Sequence, residues 1–311
     1  MSTSGSSNFS TTRNEIIRHA LLHMGQIGTN ETPSSEMVSD MAHMINAMIK
    51  AWQARGIHVW TTSEATLFPQ PGQIRYQAGT GSSDHITETY YETTISADEA
   101  SGQTILSVTS TADMTNGDYI GVVLDDGTLH WSTIASTTAT TVTINDAIVD
   151  DVAASNKVFN YTSKIVQPLR VVDYRRYDID AETDAPILDI ARLDYNRLPS
   201  KTAAGSMSQV FYDRQLTMGY LNIWQVPSTV SELLKFTWHK PLQDFDASSD
   251  NPDLPQEWIM AIEFNLAKVA GTQFGISDQR YRRIEARAEE FLDAVMGLDQ
   301  ENQSIFLQPE I

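Results

Sequence analysis

His19 and His23 stand four residues apart in the run His19-Ala20-Leu21-Leu22-His23. On a helix that separation puts both imidazoles on one face, where they could ligate a single metal ion. The zinc-hydrolase form of this pattern has a glutamate directly after the first histidine as general base, and here that position is Ala20. No third ligand is in view, so the pair reads as surface or interface histidines and no metal is assigned. Asp244, Asp246 and Asp250 suggest a calcium loop. An EF-hand needs glycine at its sixth position and glutamate at its twelfth. Those positions are Ser249 and Pro255, so the segment reads as an acidic loop before a helix. An acidic chain offers many carboxylate pairs for glycosidic cleavage, and nothing singles one out. There is no nucleophile elbow, no phosphate-cradling loop and no dinucleotide fingerprint. The sequence therefore assigns no catalytic residue and no cofactor, and the chain reads as a structural part rather than an enzyme.

Three other groups bear on binding. Tyr90, Tyr91 and Trp131 lie in a Thr/Ser/Asp-rich stretch. Exposed, they would suit a glycan; buried, they would make that stretch a spacer or a dock. The stripe Met37, Met41, Met44 and Met48 recurs at helical spacing. It reads first as core filling, and otherwise as a face that docks on a neighbouring subunit. Residues 298–311 have no helical period but keep Ile305, Phe306 and Leu307 beside Pro309, a cluster that could order on a partner.

The whole chain sets bounds on these readings. Its 311 residues carry a net charge of −19 and no cysteine. Disulfides and thiolate metal sites are excluded, and tight binding of nucleic acid by the whole surface is disfavoured. Between Tyr76 and Asn156 there is no Lys or Arg, against twelve Asp and Glu. That is a solvated acidic surface, or one that must not adhere to polyanions. No signal peptide and no membrane span of about 20 apolar residues is expected.

The elements that must position these groups follow from periodicity. Helix one opens on a capping box, Thr12-Arg13-Asn14-Glu15, buries Ile16, Ile17, Ala20, Leu21 and Met24, and stops at Gly25 and Gly28. Helix two is expected from Thr32-Pro33 to Gly56. A third helix is expected from an Asp253 cap, with Gln256 completing a capping box, to Gly275, and a fourth from about Tyr281 to Gly297. From His58 the period changes to that of strands. Asp84 to Lys164 reads as an inserted acidic all-β module, with a hairpin turn at Asp126-Gly127. Residues 166–240 read as a second β-section. The expected fold class is α+β: a discontinuous helical bundle from both chain ends (1–57 with 253–297), an antiparallel β-sandwich or barrel region (58–83 with 165–252) carrying the inserted module (84–164), and a docking tail (298–311).

Several runs carry a family resemblance. Glu15 to Leu22 and Lys50-Ala51-Trp52-Gln53-Ala54-Arg55-Gly56 resemble the N-terminal helices of head-to-tail adaptor proteins of short-tailed bacteriophages, also called tail accessory or tail tubular proteins. Asp194 to Lys201, Tyr212 to Leu216, Leu221 to Pro227, Asp253 to Trp258 and Asn265-Leu266-Ala267 are similar to that group as well. The segment 84–164 departs from it, because compact members lack it. The resemblance implies a twelve-fold homo-oligomeric ring beneath the portal protein, contact with a tail nozzle or tail tube protein, and DNA passing through without sequence-specific binding. It implies a virion component assembled in the host cytoplasm, with no membrane partner, and a tail (Ile305, Phe306, Leu307) that docks on portal or a neighbour. Two other readings compete. In one, the inserted module docks tail fibres or host glycan; in the other, the chain is a virion-associated wall hydrolase.

Overall fold

A computed structural model describes residues 5, 6, 8–56 and 61–297. The chain is a mixed α+β protein, mostly β, with five helices and two curled sheets among the described residues. It divides into two compact units, residues 1–61 with 241–311, and residues 62–240.

The first unit holds α1 (Arg13–Met24), α2 (Ser35–Ala54), α4 (Ile259–Gly271) and α5 (Asp278–Met296). At the start of α1 the Thr12 hydroxyl accepts from the Glu15 amide, and the Glu15 carboxylate accepts from the Thr12 amide at 2.8 Å. Those bonds hold the Glu15 carboxyl below its ordinary value. Gly25 ends the helix at φ 68°, a conformation that costs a side chain but not glycine. One apolar core takes Ile17 and Leu21 from α1, Ile45 and Trp52 from α2, Ile262 and Leu266 from α4, and Ile284 and Val295 from α5. Trp258 is fully buried in it, its ring 5.9 Å from that of Trp52. Asn265 joins α4 to α5 by donating to the carbonyl of Ala288 at 3.0 Å.

Two helix starts differ from expectation. The cap of α2 is Ser34, whose hydroxyl accepts from the Met37 amide at 3.3 Å, so the helix begins two residues later than expected. Asp253 caps nothing; its carboxylate accepts from the Gln243 amide, and a 3-10 turn, Gln256–Trp258, leads into α4 instead.

The second unit holds an eight-stranded sheet and a six-stranded one. The strands in chain order are β1 (Thr62–Leu67), β2 (Arg75–Ala78), β3 (Ile86–Thr87), β4 (Tyr91–Thr94), β5 (Ile105–Ser107), β6 (Tyr119–Val123), β7 (Leu129–Thr137), β8 (Thr141–Ile144), β9 (Lys157–Tyr161), β10 (Arg170–Asp178), β11 (Thr183–Asp189), β12 (Gln209–Arg214), β13 (Gly219–Trp224) and β14 (Glu232–His239). The first sheet runs β2-β13-β12-β11-β10-β14-β1-β3, and the second β4-β9-β6-β7-β8-β5. Period-two alternation sends Leu221 and Ile223 of β13 and Leu234, Phe236 and Trp238 of β14 into one core. The second sheet encloses its own core, with Ile120, Val122, Ile134, Val142 and Val158 at its centre. A third cluster, Phe68, Leu129, Phe159, Tyr161 and Leu233, lies between.

The first sheet is not purely antiparallel. Its β11 and β12 pair in parallel, and the chain between them carries the short helix α3 (Arg192–Arg197). A parallel neighbour requires such a crossover. Neither α3 nor β11 was expected; β11 contains Pro186 and shows no alternation of apolar residues. The expected strand start at His58 and the tail 298–311 lie outside the described residues.

Candidate functional site

In the helical unit, α1 presents His19 and His23 toward α4, and α4 answers with Glu263. His19 Nδ1 lies 2.7 Å from Glu263 Oε1, and His23 Nε2 lies 3.5 Å from Oε2. The carboxylate is buried, at 4% exposure. The His23 ring stacks on Phe264 with centroids 4.1 Å apart. Its Nε2 approaches Glu263 Oε2 without hydrogen-bond geometry. The two imidazoles thus meet different oxygens of one carboxylate. A shared metal would need all three groups to converge on one point about 2 Å from each. Among the described residues no group of three or more His, Cys, Asp or Glu is arranged to hold a metal ion. The pair clasps α1 to α4 within the unit while its side chains stay partly exposed, 44% for His19 and 30% for His23.

The acidic loop is equally occupied by its own fold. Asp244 pairs with Lys50 at 2.8 Å, and Asp250 accepts from the Ala247 amide at 2.6 Å. The main-chain carbonyl of Asp246 accepts from Arg13 at 3.2 Å. Asn46 on α2 bonds both backbone groups of Phe245. These contacts hold the loop against α1 and α2.

The same unit carries a groove of 590 Å³ between α2, α4 and α5. Met44, Met48 and Trp52 line one side, Val269, Tyr281 and Leu292 the other. The methionine stripe therefore divides: Met41 is sealed in the core, whereas Met44 lines the groove. Lys268 reaches across from α4 to Glu289 at 2.9 Å and Glu285 at 3.3 Å, and these carboxylates raise its pKa.

In the sheet unit, two of the three candidate glycan-binding aromatics are spent on packing. Trp131 stacks on His85 with centroids 3.7 Å apart and meets Phe68 edge-on at 5.3 Å. Gly121 on the neighbouring strand makes room for it, since a Cβ there would lie 2.7 Å from the indole. Tyr90 meets Phe68 edge-on at 5.2 Å. Burial pushes the Tyr90 phenol up to about 12, with Glu92 adding to the effect. Only Tyr91 of the three stands in solvent, at 53% exposure, beside a shallow 40 Å³ depression. The His85 imidazole is forced down to about 3, first by burial and then by Lys164. Tyr161 lies 2.6 Å from His85 Nδ1. Burial raises the Tyr161 pKa, so the phenol keeps its proton and donates it to the ring nitrogen. A further cavity of 290 Å³, lined by Arg170, Tyr174, Asp189 and Tyr212 among others, holds one carboxylate, Asp189. Burial raises that carboxyl and Arg170 opposes the shift. Facing carboxylates for glycosidic cleavage are not assembled in it.

No protein-family model matches the chain, and no curated protein matches it. Solved structures with a weak likeness include two phage proteins. One is the Gp54 tailspike of Acinetobacter baumannii bacteriophage AP22 in complex with A. baumannii capsular saccharide; the match is 15% identical, covers 25% of this chain and 15% of that one, and has a TM-score of 0.22. The other is VP17, a capsid protein of bacteriophage P23-77, at 12% identity over 62% of this chain and 73% of that one, with a TM-score of 0.12. Likenesses at these scores carry no argument about this chain.

The candidate docking residues Ile305, Phe306 and Leu307 lie outside the described residues. Glu263 escaped sequence reasoning altogether. Its one signal was a carboxylate in the otherwise apolar face Ala261, Ile262, Leu266 of α4.

Proposed function

We propose that the chain is a structural, non-enzymatic component of a bacteriophage virion: a head-to-tail adaptor that forms a ring beneath the portal. The observation that supports this most is that residues from both chain ends share one core in the helical unit, so that 62–240 is a single continuous excursion from it. Such a layout suits a connector, with one unit anchored in a ring and the other free to meet a second component. The residues behind the family resemblance hold structural positions: Trp52 and Trp258 are core neighbours, and Asn265 ties α4 to α5. In this reading the portal and the tail nozzle or tube are the partners, and about twelve copies close a head-to-tail ring. The net charge of −19 keeps passing DNA from adhering to the wall. Ile305, Phe306 and Leu307 dock on portal or a neighbour in the assembled ring. With Trp131 and Tyr90 committed to packing, the segment 84–164 acts as a spacer or a tail-fibre dock.

The test is to mix the purified chain with the portal ring of the same virus and image the product by negative stain. An added ring of density on one face of the portal is expected. A portal that stays bare at high excess of the chain refutes the adaptor role.

A further inference from the structure

The groove between α2, α4 and α5 is open, with apolar side chains exposed among polar ones. Val269 is 47% exposed there, and Met44 is only partly covered. We propose that in the free chain this groove holds the chain's own segment 298–311, with Ile305, Phe306 and Leu307 laid against Met44, Met48 and Trp52. The inference concerns the unassembled protein and does not rest on the adaptor reading.

The first argument is where the segment leaves. α5 runs antiparallel to α4: Asn265 bonds Ala288, Lys268 pairs with Glu285, and Gly271 lies beside Tyr281. The C-terminal end of α5 is therefore at the start of α4, at Trp258, whose ring is 5.9 Å from Trp52. The segment leaves Gly297 at the Trp52 end of the groove. The second argument is reach. From Trp52 to His43 the α2 wall is nine residues of helix, roughly 14 Å. The eight residues from Gly297 to Ile305 can span roughly 26 Å when extended, enough to enter the groove and run along it.

The third argument is chemistry. Thioether side chains adapt their shape to whatever covers them, and an Ile-Phe-Leu cluster supplies the apolar area to cover them. The fourth is charge. The segment carries Asp299, Glu301 and Glu310. Arg55, at the Trp52 end, is exposed and has no ion-pair partner among the described residues, and His43 lines the same groove. Tethering adds to these contacts, because a short linker holds the segment at millimolar effective concentration.

The chain has no cysteine, so an introduced pair reports without background. In the full-length protein, Ala47→Cys on the exposed groove face of α2 would be combined with Gln308→Cys. Mild oxidation at low protein concentration should give a monomeric, internally bridged product, about tenfold faster than a control pairing Gln308→Cys with Arg283→Cys on the outer face of α5. A rate equal to the control overturns the proposal, and so does bridging that appears only as dimers. A second measurement avoids introduced thiols. Ala47→Arg fills the groove from an exposed position, so it should leave the circular dichroism unchanged and speed chymotrypsin cleavage at Phe306 about tenfold. An unchanged cleavage rate in that folded variant would equally end the idea.

Discussion

Glu263 under two imidazoles shows how one buried side chain sets the role of two half-exposed ones. Its carboxylate is nearly closed to solvent and is met by His19 at 2.7 Å. Removing it takes away the carboxylate that both imidazoles meet and leaves a gap between α1 and α4, so Glu263→Ala should cost about 1–3 kcal/mol in urea unfolding. A His85 prediction follows from linkage. Folded His85 stays neutral down to about 3, whereas in the unfolded chain it takes up a proton at its ordinary 6.5. The unfolded state then binds more protons below pH 6.5, so stability should fall as pH drops through that value. The slope should approach about 1.4 kcal/mol per pH unit, and the window between roughly 6.5 and 4.5 isolates it from the carboxylates. In His85→Asn, whose amide oxygen can still accept from Tyr161, denaturant midpoints across that window should fall less steeply than in the unmodified chain. A slope equal to that of the unmodified chain would place the titration elsewhere.

At the scale of elements, the joints between helices are the sensitive points. Gly25 is left-handed, and a Cβ on it would fall 1.5 Å from Arg280 Nη1, which itself donates to the Met24 carbonyl at 2.8 Å. Gly25→Ala therefore strains the backbone and evicts the guanidinium that links α5 to the end of α1. A loss of about 1–2 kcal/mol is expected, with a matching drop in Tm. Trp258 is buried completely against Trp52, and Trp258→Ala should cost about 3–5 kcal/mol. Both losses would be read in thermal unfolding. A variant of Trp258 within experimental error of the parent would mean the core does not depend on that ring. In the sheet unit the equivalent joint is Gly121, whose missing side chain gives Trp131 its place.

At the scale of the molecule, the charge of −19 bears on assembly. Self-repulsion of that size disfavours a ring built from marginal interfaces, so the free chain is expected to be monomeric in light scattering at moderate salt and to assemble on the portal. A large ring without portal would refute that order of events and leave the adaptor proposal standing.

The features legible from sequence alone are those whose cause is local. The Thr12 capping box, the apolar period of α1 and the Asp126-Gly127 turn, where Gly127 sits at φ 82°, each depend on residues within a few positions of one another. The same holds for the strand-like runs 105–109, 118–124, 128–135, 141–145 and 157–163, which became β5 to β9 with limits within two residues. What only the tertiary structure decided are choices of partner. Glu263 lies 244 positions from His19, and no period of either helix says that they meet. The parallel pairing of β11 with β12, the packing of Trp131 on His85 and the division of the methionines between core and groove are of this kind. Each is settled by which surface is left to bury once the local elements exist, and burial is a property of the whole chain rather than of any stretch of it.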